Sequence, residues 1–195
     1  EYKTPENPSP QYDHTIRMKM RNSLTLTAEE TAQLLANGTR HVIRIKMPEN
    51  ETVRFTDMIR GEVSFETGTV DDKVLLKADG MPTYHLAVVE DDHLMEITHV
   101  LRGEDLLSST PRQIALYHAL IDIGLTPFIP RFGHLPYVMG QGNKKLSKRD
   151  PEAHMELYRE QGFLPEGLLN YLALLGWSPG DDRERNALGG VAHRD

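Results

Sequence analysis

The chain contains no cysteine, and this absence removes two classes of protein from consideration. Without cysteine there is no disulfide framework of the kind that stabilises small secreted domains, and there is no zinc site built on thiolates. A cysteine-free composition also agrees with a reducing compartment. We therefore expect a cytoplasmic protein.

Long hydrophobic runs and an excess of positive charge are missing as well. No apolar stretch approaches the roughly 20 residues that a membrane-spanning helix needs, and no signal peptide opens the chain. The formal net charge of -7 argues against a protein that coats nucleic acid without specificity. It leaves room for an RNA-binding enzyme, because phosphate contacts need only local basic patches.

The composition is otherwise ordinary, with 38% hydrophobic and 26% charged residues in a chain of 195. These values predict a soluble protein with one compact domain or two small ones. The chain begins with Glu1 rather than methionine, and its first residues resemble the middle of a protein. We therefore expect a piece of a longer polypeptide.

The first 78 residues predict a small mixed domain. Thr27 is suited to cap a helix over residues 28–35, because Glu29 and Glu30 place negative charge in its first turn. A turn at residues 79–82 ends this domain. Short β-rich segments are predicted at residues 42–47, 53–57, 62–66 and 73–77.

From Thr83 onward the pattern predicts an α/β fold with a parallel sheet, since strands alternate with a helix. Thr110 and Pro111 indicate the start of that helix, which should extend to Ile123. The polar tail, residues 179–195, is expected to be disordered or to lead into a further element. Strands are predicted at residues 84–89, 97–101 and 132–139, and later helices at residues 151–161 and 165–175.

A lysine-rich segment, residues 140–149, is the most informative part of the chain, and we call it the basic loop. Four cations and Ser147 lie within residues 144–149, just after Gly140 and Gly142. A mobile segment of this kind can close several positive charges over a phosphate chain. A bare cluster of lysine and arginine is more often a solvated turn. The glycines, the preceding apolar segment and the position of Ser147 between two lysines favour phosphate binding here.

Arg102 lies at the end of a predicted strand. Ligands of open α/β sheets bind just beyond the carboxyl ends of the strands, and the planar guanidinium matches a carboxylate. The alternative is a surface ion pair with Glu104 or Asp105.

Two further side chains are candidates for the same site. Tyr84 can line a pocket with its ring and offer its hydroxyl to a substrate, although a tyrosine in an apolar strand is by default a core residue. His134 can bring an imidazole near phosphates, and a structural histidine is equally compatible with its position.

The run Asp91–His93 is a poor metal site, because adjacent ligands on a turn rarely converge. We expect no metal there.

These segments together resemble the glutamyl-tRNA synthetases, a class I aminoacyl-tRNA synthetase family, over nearly the whole chain. Residues 145–149, Lys-Leu-Ser-Lys-Arg, resemble the second signature of class I synthetases, Lys-Met-Ser-Lys-Ser, in its glutamyl variant. The rest of the resemblance lies in residues 82–87, 91–95, 98–105, 109–113, 134–136, 150 and 167–177.

The resemblance implies a Rossmann-type catalytic domain that uses ATP with Mg²⁺, L-glutamate and tRNA(Glu). Glutamate would be adenylated, with release of pyrophosphate, and the acyl group would then pass to the 3' end of the tRNA. Arg102 would bind the side-chain carboxylate of glutamate, and Tyr84 would line the same pocket. No zinc is expected, because the cysteines of the zinc-bearing subgroup are not seen.

The resemblance also assigns the ATP side of the site and the domains. The complete protein is expected to be a monomer that does not bind membranes. Residues 1–78 would be the later part of the insertion that binds the tRNA acceptor end, and residues 79–144 the second half of the catalytic domain. Residues 145–195 would be the Lys-Leu-Ser-Lys-Arg segment and the start of a helical stem-contact domain. Lys148 would contact the ATP phosphates with Lys145 and Ser147, His134 would lie near them, and the backbone of Tyr137 and Val138 would border the adenine.

Some family features are missing. The first signature, His-Ile-Gly-His, is absent; residues 131–134, Arg-Phe-Gly-His, lack its leading histidine. Val88 stands where many members carry asparagine, and Glu90 replaces a residue that is usually apolar. With half of the site's residues missing, we expect the isolated chain to have negligible activity.

Two alternatives stay open at this point. One is the shorter glutamyl-queuosine synthetase, which acts on tRNA(Asp) and has a similar strand and helix. The other is a non-catalytic RNA-binding module derived from a synthetase. Residues 167–177 and 42–47 favour the longer ligase over the first alternative.

Overall fold

The structure, a computed structural model, describes residues 10–140, 142 and 144–175. It divides into two compact units. The first comprises Glu1–Leu101 and Leu106–Gly133, and the second comprises Arg102–Asp105 and His134–Asp195. The predicted organisation into residues 1–78, 79–144 and 145–195 rests on the family resemblance and stays a prediction.

The first unit begins with two capped helices. The short helix α1, His14–Arg17, starts at Asp13, whose carboxylate accepts the backbone N–H groups of Thr15 and Ile16. The predicted second helix is confirmed as α2, Ala28–Ala36. Thr27 and Glu30 form a capping box, in which each side chain accepts the other residue's backbone N–H.

Four strands follow, close to the predicted positions: β1 (Ile43–Arg44), β2 (Thr52–Asp57), β3 (Gly61–Glu66) and β4 (Val74–Leu76). β2 and β3 form an antiparallel hairpin, while β1 pairs antiparallel with β4. The strand predicted over residues 42–47 is shorter than expected. Beyond Arg44, the Ile45 N–H still donates to the Lys73 carbonyl, whereas the Met47 N–H donates to the Asp72 carboxylate at 2.9 Å.

The strand predicted at residues 84–89 is wrong, because this segment is the start of helix α3, Tyr84–Leu94. Thr83 has the extended backbone of an N-cap, and its hydroxyl donates to the Val74 carbonyl at 2.6 Å. A short apolar run fits a buried helix turn as well as a strand, so periodicity could not distinguish them. Asp91–His93 accordingly lie on the helix rather than on a turn, where successive residues face different directions.

The remaining strands carry the predicted site residues. β5 is His99–Gly103, a 3₁₀ segment follows at Glu104–Ser109, and helix α4 is Thr110–Asp122. β6, Arg131–Leu135, forms a two-stranded sheet with β5. The α4 prediction is confirmed within one residue, with Pro111 in its first turn. β6 is shorter than the predicted 132–139, because it ends at Leu135, and Met139 pairs separately with Lys145.

The hydrophobic core of the first unit is formed by β4, α3, α4 and β6, together with residues from the segments that follow β1 and β3. Its burial supplies the main stabilisation, at about 1.5–3 kcal/mol for each fully buried large side chain. The buried residues are Ile45, Met47, Val70, Leu75, Val89, Ile114, Leu116, Tyr117 and Phe132.

A buried charge cluster lies beside this core. Arg17, 2% exposed, donates to the Met47 carbonyl at 2.9 Å and lies 3.4 Å from the Asp72 carboxylate. Burial raises the pKa of Asp72, even though the charge of Arg17 and the Met47 N–H favour its ionised form. The pKa of the neighbouring Asp71 is shifted in the opposite direction. Burial pushes its pKa up, but the hydrogen bond from Lys73 and the charge of Arg112 outweigh burial and leave that pKa lowered.

The second unit contains helices α5, Met155–Glu160, and α6, Pro165–Leu174. They confirm the two late helices, although residues 151–153 form a 3₁₀ turn before α5. The predicted polar tail lies outside the described residues. Within the part of the chain that is described, no helix has both the length and the apolar character to cross a membrane.

Candidate active site

Arg102 and His134 lie on the paired strands β5 and β6 and contact each other directly. The Arg102 Nε donates a hydrogen bond of 3.0 Å to the His134 Nε2. The His134 side chain is completely buried, whereas Arg102 is only partly buried. The arginine therefore lies between a buried anchor and a surface that a ligand can reach.

The residues just after Arg102 contact the segment that leads into the basic loop. The Glu104 carboxylate accepts the backbone N–H of Tyr137 at 3.0 Å. The side chains of Tyr137 and Val138 remain 39% and 40% exposed, so they present an apolar surface to solvent. Exposed apolar side chains of this kind can pack against an aromatic ring such as a nucleobase.

The described residues of the basic loop form a narrow turn that doubles back on itself. Met139 and Lys145 form an antiparallel bridge. The Gly140 N–H donates to the Lys144 carbonyl at 2.8 Å, and the Leu146 N–H donates to the Val138 carbonyl at 2.9 Å. Gly142, at φ +69°, has the left-handed backbone that glycine adopts without strain.

Residues 147–150 form a second, tight turn. The Ser147 N–H donates to the Asp150 carboxylate at 2.7 Å, and the Ser147 Oγ accepts the Arg149 N–H at 3.2 Å. Lys148 lies within this turn and is exposed. The turn thus presents an ammonium group to solvent on a short, locally hydrogen-bonded backbone, where it can meet an anion.

Lys145 has two partners in the same unit. Its Nζ lies 3.4 Å from the Asp105 Oδ2 and 4.3 Å from the centroid of the Tyr137 ring. The side chains of Lys145 and Asp105 are 50% and 53% exposed. An ion pair this exposed is weak, so a more negative ligand can displace the carboxylate.

Tyr84 belongs to the first unit and is not a core residue of a strand. It is the first residue of α3 and is 47% exposed. Its ring packs edge-on against His85, with the ring centroids 5.6 Å apart. A pocket of about 420 Å³ beside it is lined by Tyr84, His85, Tyr12, Arg44, Asp71 and Lys73, among others.

The second unit therefore contains most of the predicted site residues, and several of them contact one another or the carboxylates of Glu104 and Asp105. The sequence indicated Glu104 and Asp105 only as possible partners of Arg102; their contacts with Tyr137 and Lys145 were not predicted. The signal in the sequence that could have indicated a role for them is the position of two carboxylates just after the end of a strand. The predicted residues in this unit are Arg102, His134, Tyr137, Val138, Lys145, Ser147 and Lys148.

Within the described residues, no group of three or more histidine, cysteine, aspartate or glutamate side chains could hold a metal ion. Residues 91–93 lie within this described part of the chain and form no such group. The arrangement of the second unit instead offers a guanidinium, exposed ammonium groups and an apolar surface. Such groups suit a ligand that carries carboxylate, phosphate and aromatic parts.

Comparison with known proteins identifies the family. The family model for "tRNA synthetases class I (E and Q), catalytic domain" matches residues 6–195. A glutamate–tRNA ligase of Streptomyces griseus is 61% identical over 159 residues, which is 82% of this chain and 31% of the relative. The glutamate–tRNA ligase of Kocuria rhizophila is 56% identical over 179 residues, covering 92% of this chain and 34% of the relative.

A solved structure agrees with the sequence relatives. The glutamate–tRNA synthetase of Elizabethkingia anophelis superposes with a TM-score of 0.78 at 38% identity, over 97% of this chain and 43% of that protein. This match confirms the predicted α/β class I synthetase fold. The chain spans about a third of the length of the curated relatives it matches. The chain belongs to the family of class I tRNA synthetases for glutamate and glutamine, and it lies within their catalytic domain.

Proposed function

We propose that this chain is part of a glutamate–tRNA ligase, which activates glutamate with ATP and transfers it to the 3' end of tRNA(Glu). The observation that carries the proposal is the presence of Arg102 and the basic loop in one compact unit. A carboxylate-binding group and a phosphate-binding segment are what glutamate adenylation requires. A related solved structure is described as a glutamate tRNA ligase in complex with its amino acid, at 39% identity.

On the glutamate side, Arg102 binds the side-chain carboxylate through charge-assisted hydrogen bonds. Tyr84, exposed at the start of α3, lines the same pocket in this proposal. Val88 stands one helical turn after Tyr84, so its apolar side chain shares the Tyr84 face of α3.

On the ATP side, Lys148 contacts the phosphates, with Lys145 and Ser147 assisting. These groups stabilise charge that develops as pyrophosphate leaves, and that stabilisation lowers the barrier. The Tyr137–Val138 segment borders the adenine, which is supported by its exposed apolar side chains. His134, expected near the phosphates, is buried and accepts a hydrogen bond from Arg102.

Mg²⁺ accompanies ATP in this proposal. The ion keeps several waters and binds phosphate oxygens readily, so it needs few protein ligands. When bound, the ion would neutralise phosphate charge beside the lysines of the basic loop. No zinc is proposed.

We further propose that the complete protein is a cytoplasmic monomer with tRNA(Glu) as its RNA partner. Residues 1–78 would bind the tRNA acceptor end, residues 79–144 would complete the catalytic domain, and residues 145–195 would lead into a domain that contacts the tRNA stem. Relatives that are 56–61% identical carry the name glutamate–tRNA ligase, so neither a queuosine synthetase nor a non-catalytic module is favoured.

The test uses a chimera in which this chain replaces the matching segment of the Streptomyces griseus ligase. We expect the chimera to charge tRNA(Glu) with glutamate and to leave tRNA(Asp) uncharged. A folded chimera that charges neither tRNA, beside an active parent ligase, would contradict the proposal, and charging of tRNA(Asp) would favour the queuosine enzyme. The isolated chain should show negligible charging, since positioning and charge stabilisation need the rest of the site.

A further inference from the structure

We infer that His134 is a positioning residue that holds Arg102 in the orientation in which it binds the carboxylate of glutamate. This inference rests on the proposed function, in which Arg102 is the carboxylate ligand. It assigns His134 to the glutamate side of the site instead of to direct contact with ATP.

The chemistry of the contact fixes the direction of the hydrogen bond. A guanidinium has five N–H donors and no acceptor, and it stays protonated in proteins. The 3.0 Å contact between the Arg102 Nε and the His134 Nε2 therefore requires a lone pair on Nε2. His134 must be neutral with its proton on Nδ1, because an imidazolium would place N–H against N–H and cation against cation.

Burial makes His134 an anchor rather than a second mobile group. Its side chain has no exposed surface, so the imidazole has little room to change its rotamer. An imidazole without exposed surface is also unsuited to direct contact with ATP phosphates. Arg102, in contrast, is partly exposed and carries the large rotamer freedom of a long side chain. A hydrogen bond to a fixed imidazole removes part of that freedom before the substrate binds.

The geometry also indicates which part of the guanidinium meets the substrate. Because Nε points at His134, a carboxylate bound by Arg102 would be met by the terminal nitrogens Nη1 and Nη2. Two parallel hydrogen bonds from these nitrogens select a planar carboxylate over a carboxamide, since a carboxamide offers only one acceptor oxygen. His134 thus contributes to specificity for glutamate over glutamine without contacting either amino acid.

Two substitutions separate this role from a purely structural one. In the chimera, His134→Leu removes the acceptor and keeps a similar buried volume. His134→Gln keeps an acceptor oxygen near the position of Nε2. The KM for glutamate, the KM for ATP and kcat are measured for tRNA charging, and thermal unfolding is recorded for each variant.

With His134→Leu, we expect the KM for glutamate to rise about tenfold, because the loss of a hydrogen bond to a charged group has an effect of that order. The KM for ATP should change by less than about twofold, and His134→Gln should restore the KM for glutamate to within about threefold of the unsubstituted chimera. Equal increases in the two KM values with His134→Leu, or no rescue by His134→Gln, would overturn the inference.

A double substitution keeps the test decisive if His134→Leu also lowers stability. Arg102→Lys retains a positive charge but has no Nε–H. In that background, His134→Leu should raise the KM for glutamate by less than about twofold further, because the contact is already lost. Fully additive effects would show that His134 acts independently of Arg102 and would contradict the inference. Activity of the unsubstituted chimera is the separate check on the proposed function.

Discussion

The Nζ of Lys145 lies 3.4 Å from the carboxylate of Asp105, two residues after the end of β5, the strand that carries Arg102. In the proposed reaction the same ammonium group contacts the ATP phosphates. The carboxylate of Asp105 therefore competes with the ATP phosphates for the ammonium group of Lys145. Because both side chains are about half exposed, this competition is modest and sensitive to salt.

Asp105→Asn should lower the KM for ATP of the chimera by about 1.4- to fivefold, because an exposed ion pair of about 0.2–1 kcal/mol no longer opposes phosphate binding. Steady-state charging at varied ATP concentration measures this change. The difference should shrink as ionic strength rises. Asp122→Asn, which changes an exposed carboxylate on α4, is the matched control and should leave the KM unchanged. An increase in the KM for ATP with Asp105→Asn would show that Asp105 assists ATP binding.

Arg102→Lys should raise the KM for glutamate by about tenfold or more, although the positive charge is kept. A hydrogen bond to a charged group contributes about 1.5–3 kcal/mol, and lysine cannot reproduce the planar, two-pronged geometry of arginine. The measurement is the glutamate dependence of tRNA charging by the chimera. Arg131→Lys is the control, since Arg131 is an exposed arginine on the neighbouring strand β6. Equal effects of the two substitutions on the KM for glutamate would contradict the assignment of Arg102 to the glutamate site.

Lys148→Ala should lower kcat by about a hundredfold, because it removes a cation placed to stabilise charge in the transition state. The KM for glutamate should change little, since Lys148 acts on the phosphate side. Lys144→Ala is the control, because Lys144 is an exposed lysine of the same loop outside the signature segment. It tests whether kcat depends on the position of Lys148 or only on the total charge of the loop. Comparable losses of kcat for the two variants would mean that the loop acts only through its total charge.

Sequence patterns anticipated the elements with strong local signals. Thr27 with Glu30 predicted the start of α2, and Thr110 with Pro111 predicted the start of α4, because caps and early prolines act within one turn. The segment after Thr83 was misassigned as a strand. Its apolar run is too short for periodicity to decide, and the helix depends on packing of Val89 into the core.

The sequence proposed candidate site residues but carried no information on their contacts. The resemblance named Arg102, His134 and Lys145 separately, and a motif carries no information about which side chains touch. The pairing of Arg102 with His134 depends on the register of β5 against β6, which no local signal in either strand encodes. The same is true of the contact between Lys145 and Asp105, which lie 40 positions apart in the chain.

Asp71→Asn should destabilise the chain by about 2 kcal/mol at pH 7, because it removes the charge that pairs with Arg112 and Lys73. The pKa of Asp71 is held below its ordinary value near 3.8, so ionisation of this carboxylate favours the folded state. That stabilisation is present above about pH 4 and is lost as the pH falls through the lowered pKa. Urea unfolding of the 195-residue chain should therefore give a difference between the two proteins that shrinks below pH 4. Asp122→Asn is the control, with an expected change below about 0.5 kcal/mol at every pH. A difference that stays constant down to pH 2 would show that Asp71 stabilises the fold through its shape rather than through its charge.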